Sequence, residues 1–205
     1  RTLWGMLYRT CEIDNLECGS LKELKNLGIR TIIDLRSPEE AQATSPCLQD
    51  NFHVISIPIA TGNMEQIVTG VQNQSIRSDT VSRIVEHMNR ELITEYTPQY
   101  RRVFDLLLNK DNYPIVIHCS SGKGRTGIVS ALILAALDVN EDKIMEDYRL
   151  SNDYFNIPKA SGYAYNLPAR SQEAITTLFS AREDFLNAAK EEAERQYGDI
   201  KTYLH

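Results

Sequence analysis

Ile115-Val116-Ile117-His118-Cys119-Ser120-Ser121-Gly122-Lys123-Gly124-Arg125-Thr126-Gly127 is the stretch on which the fold turns. Three β-branched residues in a row read as a buried strand. Glycines at 122 and 124 break it, and from about Gly124 an apolar helix runs to Leu137. A strand that passes through a glycine-rich loop into a helix aims backbone N–H groups at one point, on the positive end of the helix dipole. That is a cradle for a tetrahedral anion.

Working outward, Arg30-Thr31-Ile32-Ile33-Asp34-Leu35 repeats the β-branched signature, and His53 to Ile57 gives a third strand, closed by Pro58. Ser20 with Glu23 forms a capping box before a short helix over 21–27, and Gly28 stands where that helix ends. Ser37-Pro38-Glu39-Glu40 opens another, with a cap, a proline at the first position and acids in the first turn. Residues 60–78 are polar with little periodicity. Ser78 or Asp79 caps a helix to about Ile93, with Val81, Ile84, Val85 and Met88 on one face. Residues 60–96 together read as a mobile excursion or lid. Thr97-Pro98 opens a helix through Leu108.

Downstream, Asn140 caps a helix ending near Asn152, and 156–170 is loop. Residues 171–197 read as one long charged helix, stopped by Gly198, within a C-terminal helical element over 171–205. Helices alternate with buried strands, so the expected class is α/β, a mainly parallel sheet with helices on both faces, in one domain over 1–205.

Composition agrees with that class. Hydrophobic residues make up 42% and charged residues 24%, ordinary for a globular chain of 205 residues. The longest apolar run, Ile128 to Leu137, is too short to span a bilayer. The net charge of −6 argues against a nucleic-acid partner, whose phosphates are met by clustered positive charge. Cysteines at 11, 18, 47 and 119 are too scattered for a disulfide framework, and no pair has zinc-site spacing. Neither metal nor cofactor is expected. The chain starts at Arg1 and reads as a fragment or a processed form, so cytoplasm and secretion both stay open.

The chemistry follows from the loop. Cys119 opens it, where dipole and N–H groups stabilise negative sulfur and lower the thiol pKa. Arg125 closes it after five residues, and its planar fork can hold two equatorial oxygens of a phosphoryl group in transfer. Nucleophile and clamp thus meet on opposite sides of one phosphate. Ser120, Ser121, Gly122, Lys123, Gly124 and Thr126 line the cradle. Gly122 and Gly124 permit its tight turns, and the Thr126 hydroxyl can reach the sulfur. His118 supports the cysteine, and Lys123 projects toward a second phosphate. A nucleotide P-loop fails, because Gly124 follows Lys123 where Ser or Thr is required. A sulfurtransferase, an arsenate reductase or an inactive phosphate-binding module fits the residue set less well.

These residues resemble the signature loop of the cysteine-dependent protein tyrosine phosphatases. The match is closer to the bacterial group whose loop reads His-Cys-x-x-Gly-Lys-x-Arg-Thr. Trp4-Gly5-Met6-Leu7-Tyr8-Arg9-Thr10, Asp34-Leu35-Arg36-Ser37 with Glu40 following, and Tyr197-Gly198 through Tyr203-Leu204 also resemble segments of that family. The resemblance implies a phosphocysteine mechanism acting on protein phosphotyrosine, with dual specificity for phosphoserine and phosphothreonine open, phosphoinositide or inositol phosphate as the alternative substrate, and the oligomeric state undetermined.

One position departs from it. Many relatives carry Asp just before the loop arginine as general acid, and here Gly124 stands there. Asp34, at a strand end on the same sheet edge as Cys119, is the first replacement candidate, its rival reading being a polar network with Arg36. Asp79, Glu86 and Asp153 rank lower. Arg36 is expected to pair with Glu40, its rival reading being direct contact with the substrate phosphate. Tyr154, Tyr163 and Tyr165 read as cover for a core edge, the rival reading being an aromatic rim that stacks on substrate.

Overall fold

The computed structural model describes residues 3–13, 21–43, 46–154 and 166–205. Four strands form one parallel sheet: β1 (Leu7–Thr10), β2 (Thr31–Asp34), β3 (His53–Ser56) and β4 (Ile115–His118). Their order is β1-β4-β2-β3. Helices flank the sheet, so the class is α/β as the alternation predicts. Strand β4 is central, pairing Tyr8 with Val116 on one side and Ile32 with Val116 on the other. Its side chains are buried throughout, as are those of β2. That burial explains the unbroken Ile-Val-Ile and Ile-Ile runs, since a strand covered on both faces needs no polar alternation.

The described residues gather into two compact units, one from residues 1–60 and 96–133, the other from 61–95 and 134–205. The first holds the sheet with α1 (Leu21–Asn26), α2 (Pro46–Asn51) and α5 (Thr97–Leu108). One of its clusters packs Ile13, Leu21, Ile29, Ile32, Leu48, Phe52 and Val116. Helix α6 (Gly124–Ala136) begins in this unit, directly after the loop. Its first three turns are buried, which accounts for the apolar composition on every face.

The second unit holds α3 (Met64–Gln72), α4 (Ser78–Glu95), α7 (Glu141–Arg149), α8 (Ser151–Tyr154), α9 (Ala169–Phe179), α10 (Glu183–Tyr197) and α11 (Ile200–Leu204). Its core joins Ile67 and Val71 of α3, Val81 and Val85 of α4, Ala174, Ile175 and Leu178 of α9, and Phe185 of α10. The Asn89 amide donates to the Phe185 carbonyl at 2.7 Å, and the Ser171 hydroxyl to the Val71 carbonyl at 2.8 Å.

Several expectations need correction here. Residues 60–78 are not aperiodic loop: Met64, Ile67, Val68 and Val71 form the apolar stripe of α3. The stretch 171–197 is two helices, broken at Ser180, Ala181 and Arg182, where Asn152 accepts from the Ala181 amide at 2.6 Å and donates to its carbonyl at 2.9 Å. After Ser37 comes a short 3-10 turn, Glu40–Ala43, rather than an α-helix. Strand β1, quoted above only for its likeness to a family segment, is a sheet edge. Cys47 is disulfide-bonded, which the scattered cysteine spacing did not announce. Asn140 caps α7 as expected, accepting from the Lys143 amide at 3.1 Å. Ser20, Tyr163 and Tyr165 lie outside the described residues.

Candidate active site

The site is built at the carboxyl edge of the sheet, where β4 ends. Cys119 follows His118 at once and is 1% exposed. The loop then turns at Gly122, whose φ is +68°. A Cβ there would stand 2.7 Å from both the Cys11 nitrogen and the Thr10 oxygen, so the loop lies directly on the backbone that follows β1. The Glu12 amide donates to the Ser120 carbonyl at 3.1 Å and ties the same two segments together. Gly122 is therefore obligatory twice over, for its torsion and for the close approach. Gly124 is different. It opens α6 at a helical torsion, and a Cβ there meets nothing within 4 Å.

Arg125 is in the first turn of α6 and 5% exposed. Glu40 grips its guanidinium with both oxygens, Nη1 to Oε2 at 2.6 Å and Nη2 to Oε1 at 2.7 Å. Nη1 also donates to the Ile59 carbonyl at 3.0 Å. Nη1 also donates to the Leu35 carbonyl and Nη2 to the Ser120 hydroxyl, each at 3.4 Å, so both terminal nitrogens are engaged and Nε is the guanidinium nitrogen with no bond to the described residues. Burial works against the charge of Arg125, but the bond to Glu40 and the neighbouring Cys119 outweigh burial and raise its pKa.

Glu40 is itself held from three sides. The Ser120 hydroxyl donates to Oε1 at 2.7 Å and the Ser37 amide to Oε2 at 2.9 Å. The Glu40 amide returns a 3.4 Å bond to the Ser37 hydroxyl, a reciprocal capping pair. Burial pushes the Glu40 pKa up, but Arg125, then Ser120 and Ser37, bring it down to about 2. The expected Arg36–Glu40 pair is therefore not formed; Glu40 serves Arg125. Sequence reading found Glu40 but not this role, and the capping pattern from Ser37 to Glu40 was its only local signal.

Arg36 instead doubles back on Asp34. It is fully buried, and its Nη2 and Nε donate to the Asp34 carboxylate at 2.7 Å and 3.0 Å, while its own amide donates at 2.9 Å. His118 Nε2 is 3.7 Å from the same carboxylate, and Glu12 is 3.9 Å from Arg36. Burial raises the Asp34 pKa, yet the Arg36 hydrogen bonds and the neighbouring His118 hold it below its ordinary value. The two readings offered for Asp34 thus meet a carboxylate engaged in a polar network and kept ionised.

Two loop residues depart from expectation. Thr126 is fully buried, but its hydroxyl has no hydrogen-bond partner among the described residues, so the bond to sulfur is not made. Lys123 does not project outward. It is 7% exposed; burial drives its pKa down to about 8, with the charge of Cys119 pulling the other way. Ser121 is partly exposed. Among the lower-ranked acids, Asp79 pairs with Arg83 at 3.2 Å and Glu86 accepts from Ser82 at 3.3 Å, both along α4. Asp153 is exposed on α8, as is Tyr154.

Among proteins with known sequences, a tyrosine-protein phosphatase candidate of Cupriavidus necator is 27% identical over the whole chain and 74% of its own length. The triple specificity protein phosphatase PtpB of Mycobacterium tuberculosis is 27% identical over 98% of this chain and 84% of its own. Among solved structures, TpbA of P. aeruginosa aligns over 84% of this chain and 86% of that chain, at 15% identity and a TM-score of 0.38. Residues 1–205 match the model of the tyrosine phosphatase family from end to end, and the chain belongs to that family.

Proposed function

We propose that the chain hydrolyses phosphate monoesters through a phosphocysteine intermediate, with Cys119 as nucleophile and Arg125 as clamp. The observation that carries this is the pair itself: a buried cysteine at the end of the central strand, and at the start of the helix that follows it a buried arginine gripped by both oxygens of Glu40. A phosphoryl group would take Nε of that arginine and, in exchange for the 3.4 Å bond to Ser120, Nη2, flanked by the amides of the first turn of α6.

The thiolate attacks phosphorus in line, and the bond from phosphorus to the leaving oxygen breaks as sulfur bonds. Equatorial oxygens gain charge and are held by the Nε–Nη2 edge and the loop amides. Water then attacks the phosphocysteine, releasing inorganic phosphate and restoring the thiolate. Glu40 touches no reacting atom and acts as a positioning residue for Arg125. Asp34, ionised and bonded to Arg36, is better suited to fixing the strand end beside His118 than to donating a proton.

Phosphotyrosine is the substrate that this site favours. Its leaving group is a phenol, which needs the least help from an acid, and Gly124 supplies none. The buried position of Lys123 supports a single phosphate over a multiply phosphorylated headgroup. Replacing Cys119 by Ser tests the reading: turnover of p-nitrophenyl phosphate should vanish while inorganic phosphate still raises the melting temperature. Wild-type turnover in that variant would overturn it.

A further inference from the structure

Ser120 directly follows Cys119, and its side chain belongs to a closed ring of three hydrogen bonds. Its hydroxyl donates to Glu40 Oε1 at 2.7 Å, and Arg125 Nη2 donates to the same oxygen at 2.7 Å. Nη2 also donates to the Ser120 hydroxyl, at 3.4 Å. The two short bonds converge on a carboxylate and are charge-assisted; the long one is the weak side of the ring. The main chain of Ser120 is fixed as well, since its carbonyl accepts from the Glu12 amide at 3.1 Å. Ser120 thus joins three pieces of chain: the segment after β1, the loop, and the 3-10 turn that carries Glu40. It does so with a side chain that touches both halves of the Glu40–Arg125 pair.

We propose that the Ser120 hydroxyl is a positioning residue for the arginine clamp, a role that rests on the phosphatase reading only in its kinetic test. It braces the Glu40 carboxylate against the guanidinium, and it holds the place on Nη2 that an equatorial oxygen of the transferring group takes. A brace is needed because a carboxylate on a short 3-10 turn can rotate about its own side chain, and the fork would tilt with it. The Ser120 hydroxyl pins Oε1 and the Ser37 amide pins Oε2, so each oxygen has its own tether. When phosphate arrives, the 3.4 Å bond is the one given up, and the 2.7 Å tether to Glu40 stays. Exchanging a weak bond for a dianion oxygen leaves ground-state binding nearly untouched. Alignment of the fork matters most as the equatorial oxygens gain charge, so the hydroxyl acts on the transition state through Arg125.

The test compares wild type, Ser120→Ala and Ser120→Thr, each with its melting temperature. Two anions are titrated without turnover: inorganic phosphate, which is tetrahedral, and vanadate, which bonds to sulfur in the five-coordinate geometry of the transferring group. Ser120→Ala should bind phosphate as the wild type does and vanadate about tenfold more weakly, the low end for one hydrogen bond to a charged group. With p-nitrophenyl phosphate the same loss should fall on kcat and leave KM in place. Ser120→Thr keeps the hydroxyl and should restore both. Unchanged vanadate affinity in Ser120→Ala overturns the proposal, and so does an equal loss for phosphate and vanadate, the mark of a loop that is merely disturbed. A folded Ser120→Thr no better than Ser120→Ala overturns it too. If Ser120→Thr melts well below Ser120→Ala, the ratio of the two anion affinities in Ser120→Ala decides alone. A wild type that binds vanadate tightly but never hydrolyses p-nitrophenyl phosphate sinks the phosphatase reading alone, since anion binding needs no turnover.

Discussion

At the scale of single residues, the two loop glycines separate a position where the backbone demands glycine from one where it leaves room for a side chain. Gly122→Ala places a methyl 2.7 Å from two backbone atoms at a φ of +68°, so the loop must lift from the segment after β1. Activity should be lost and the melting temperature should fall. Gly124 has open space around it, and aspartate suits the first turn of a helix. Gly124→Asp should therefore fold normally and raise kcat on a phosphoserine peptide about a hundredfold, the low side of general-acid effects. p-Nitrophenyl phosphate, with its better leaving group, should gain little; equal gains on both substrates would show that the new carboxylate is not the acid. Glu40→Gln frees the Arg125 fork to swing, and kcat/KM should drop about a hundredfold, as for misplaced catalytic groups generally. Glu40 stays ionised down to about pH 2, so the acid limb of the wild-type profile belongs to another group. Cys119 and Arg125 were legible because one short loop fixes both their spacing and their flanks. Glu40 was not legible as the partner of Arg125, because that contact joins residues 85 positions apart and no local pattern records it.

At the scale of elements, short or interrupted patterns explain the misreadings. Strand β1 has four half-buried residues, too few to show a period. Helix α3 does carry apolar residues at helical spacing, but Gly62, Gly70 and polar flanks hide them. Gly70 earns its place by contact: a Cβ there would run into the Ile76 side chain. The break between α9 and α10 comes from Asn152, whose amide pairs with Ala181 from 29 residues away. The strand end of β2 yields the clearest prediction at this scale. Asp34→Asn leaves Arg36, fully buried, without its carboxylate, and should cost about 3–5 kcal/mol in urea unfolding. In the wild type the Asp34 pKa is lowered below 3.8, so its contribution to stability is complete above that pH. It is lost as pH falls through the lower folded value. The surviving activity of Asp34→Asn should keep the wild-type pH profile; a vanished protonation step would reinstate Asp34 as the acid.

At the scale of the whole molecule, the strand order sets the sequence of events in folding. Strands β1 and β2 are made first but do not touch; β4 joins them, pairing Leu7 with Ile115 and Thr31 with Ile115. Until residue 115 is available, each has an unpaired edge, and closing the chain over so many residues is slow. Pulse-labelled amide exchange during refolding should show β1 gaining protection together with β4 and not with α1, its neighbour in sequence. Protection of β1 ahead of β4 would contradict the topology. For a growing chain on the ribosome, Cys119, the proposed nucleophile, then emerges directly behind the strand that joins the sheet. A truncated product ending before the central strand has half a sheet, two sticky edges and no thiolate, so an incomplete copy cannot act on any phosphate.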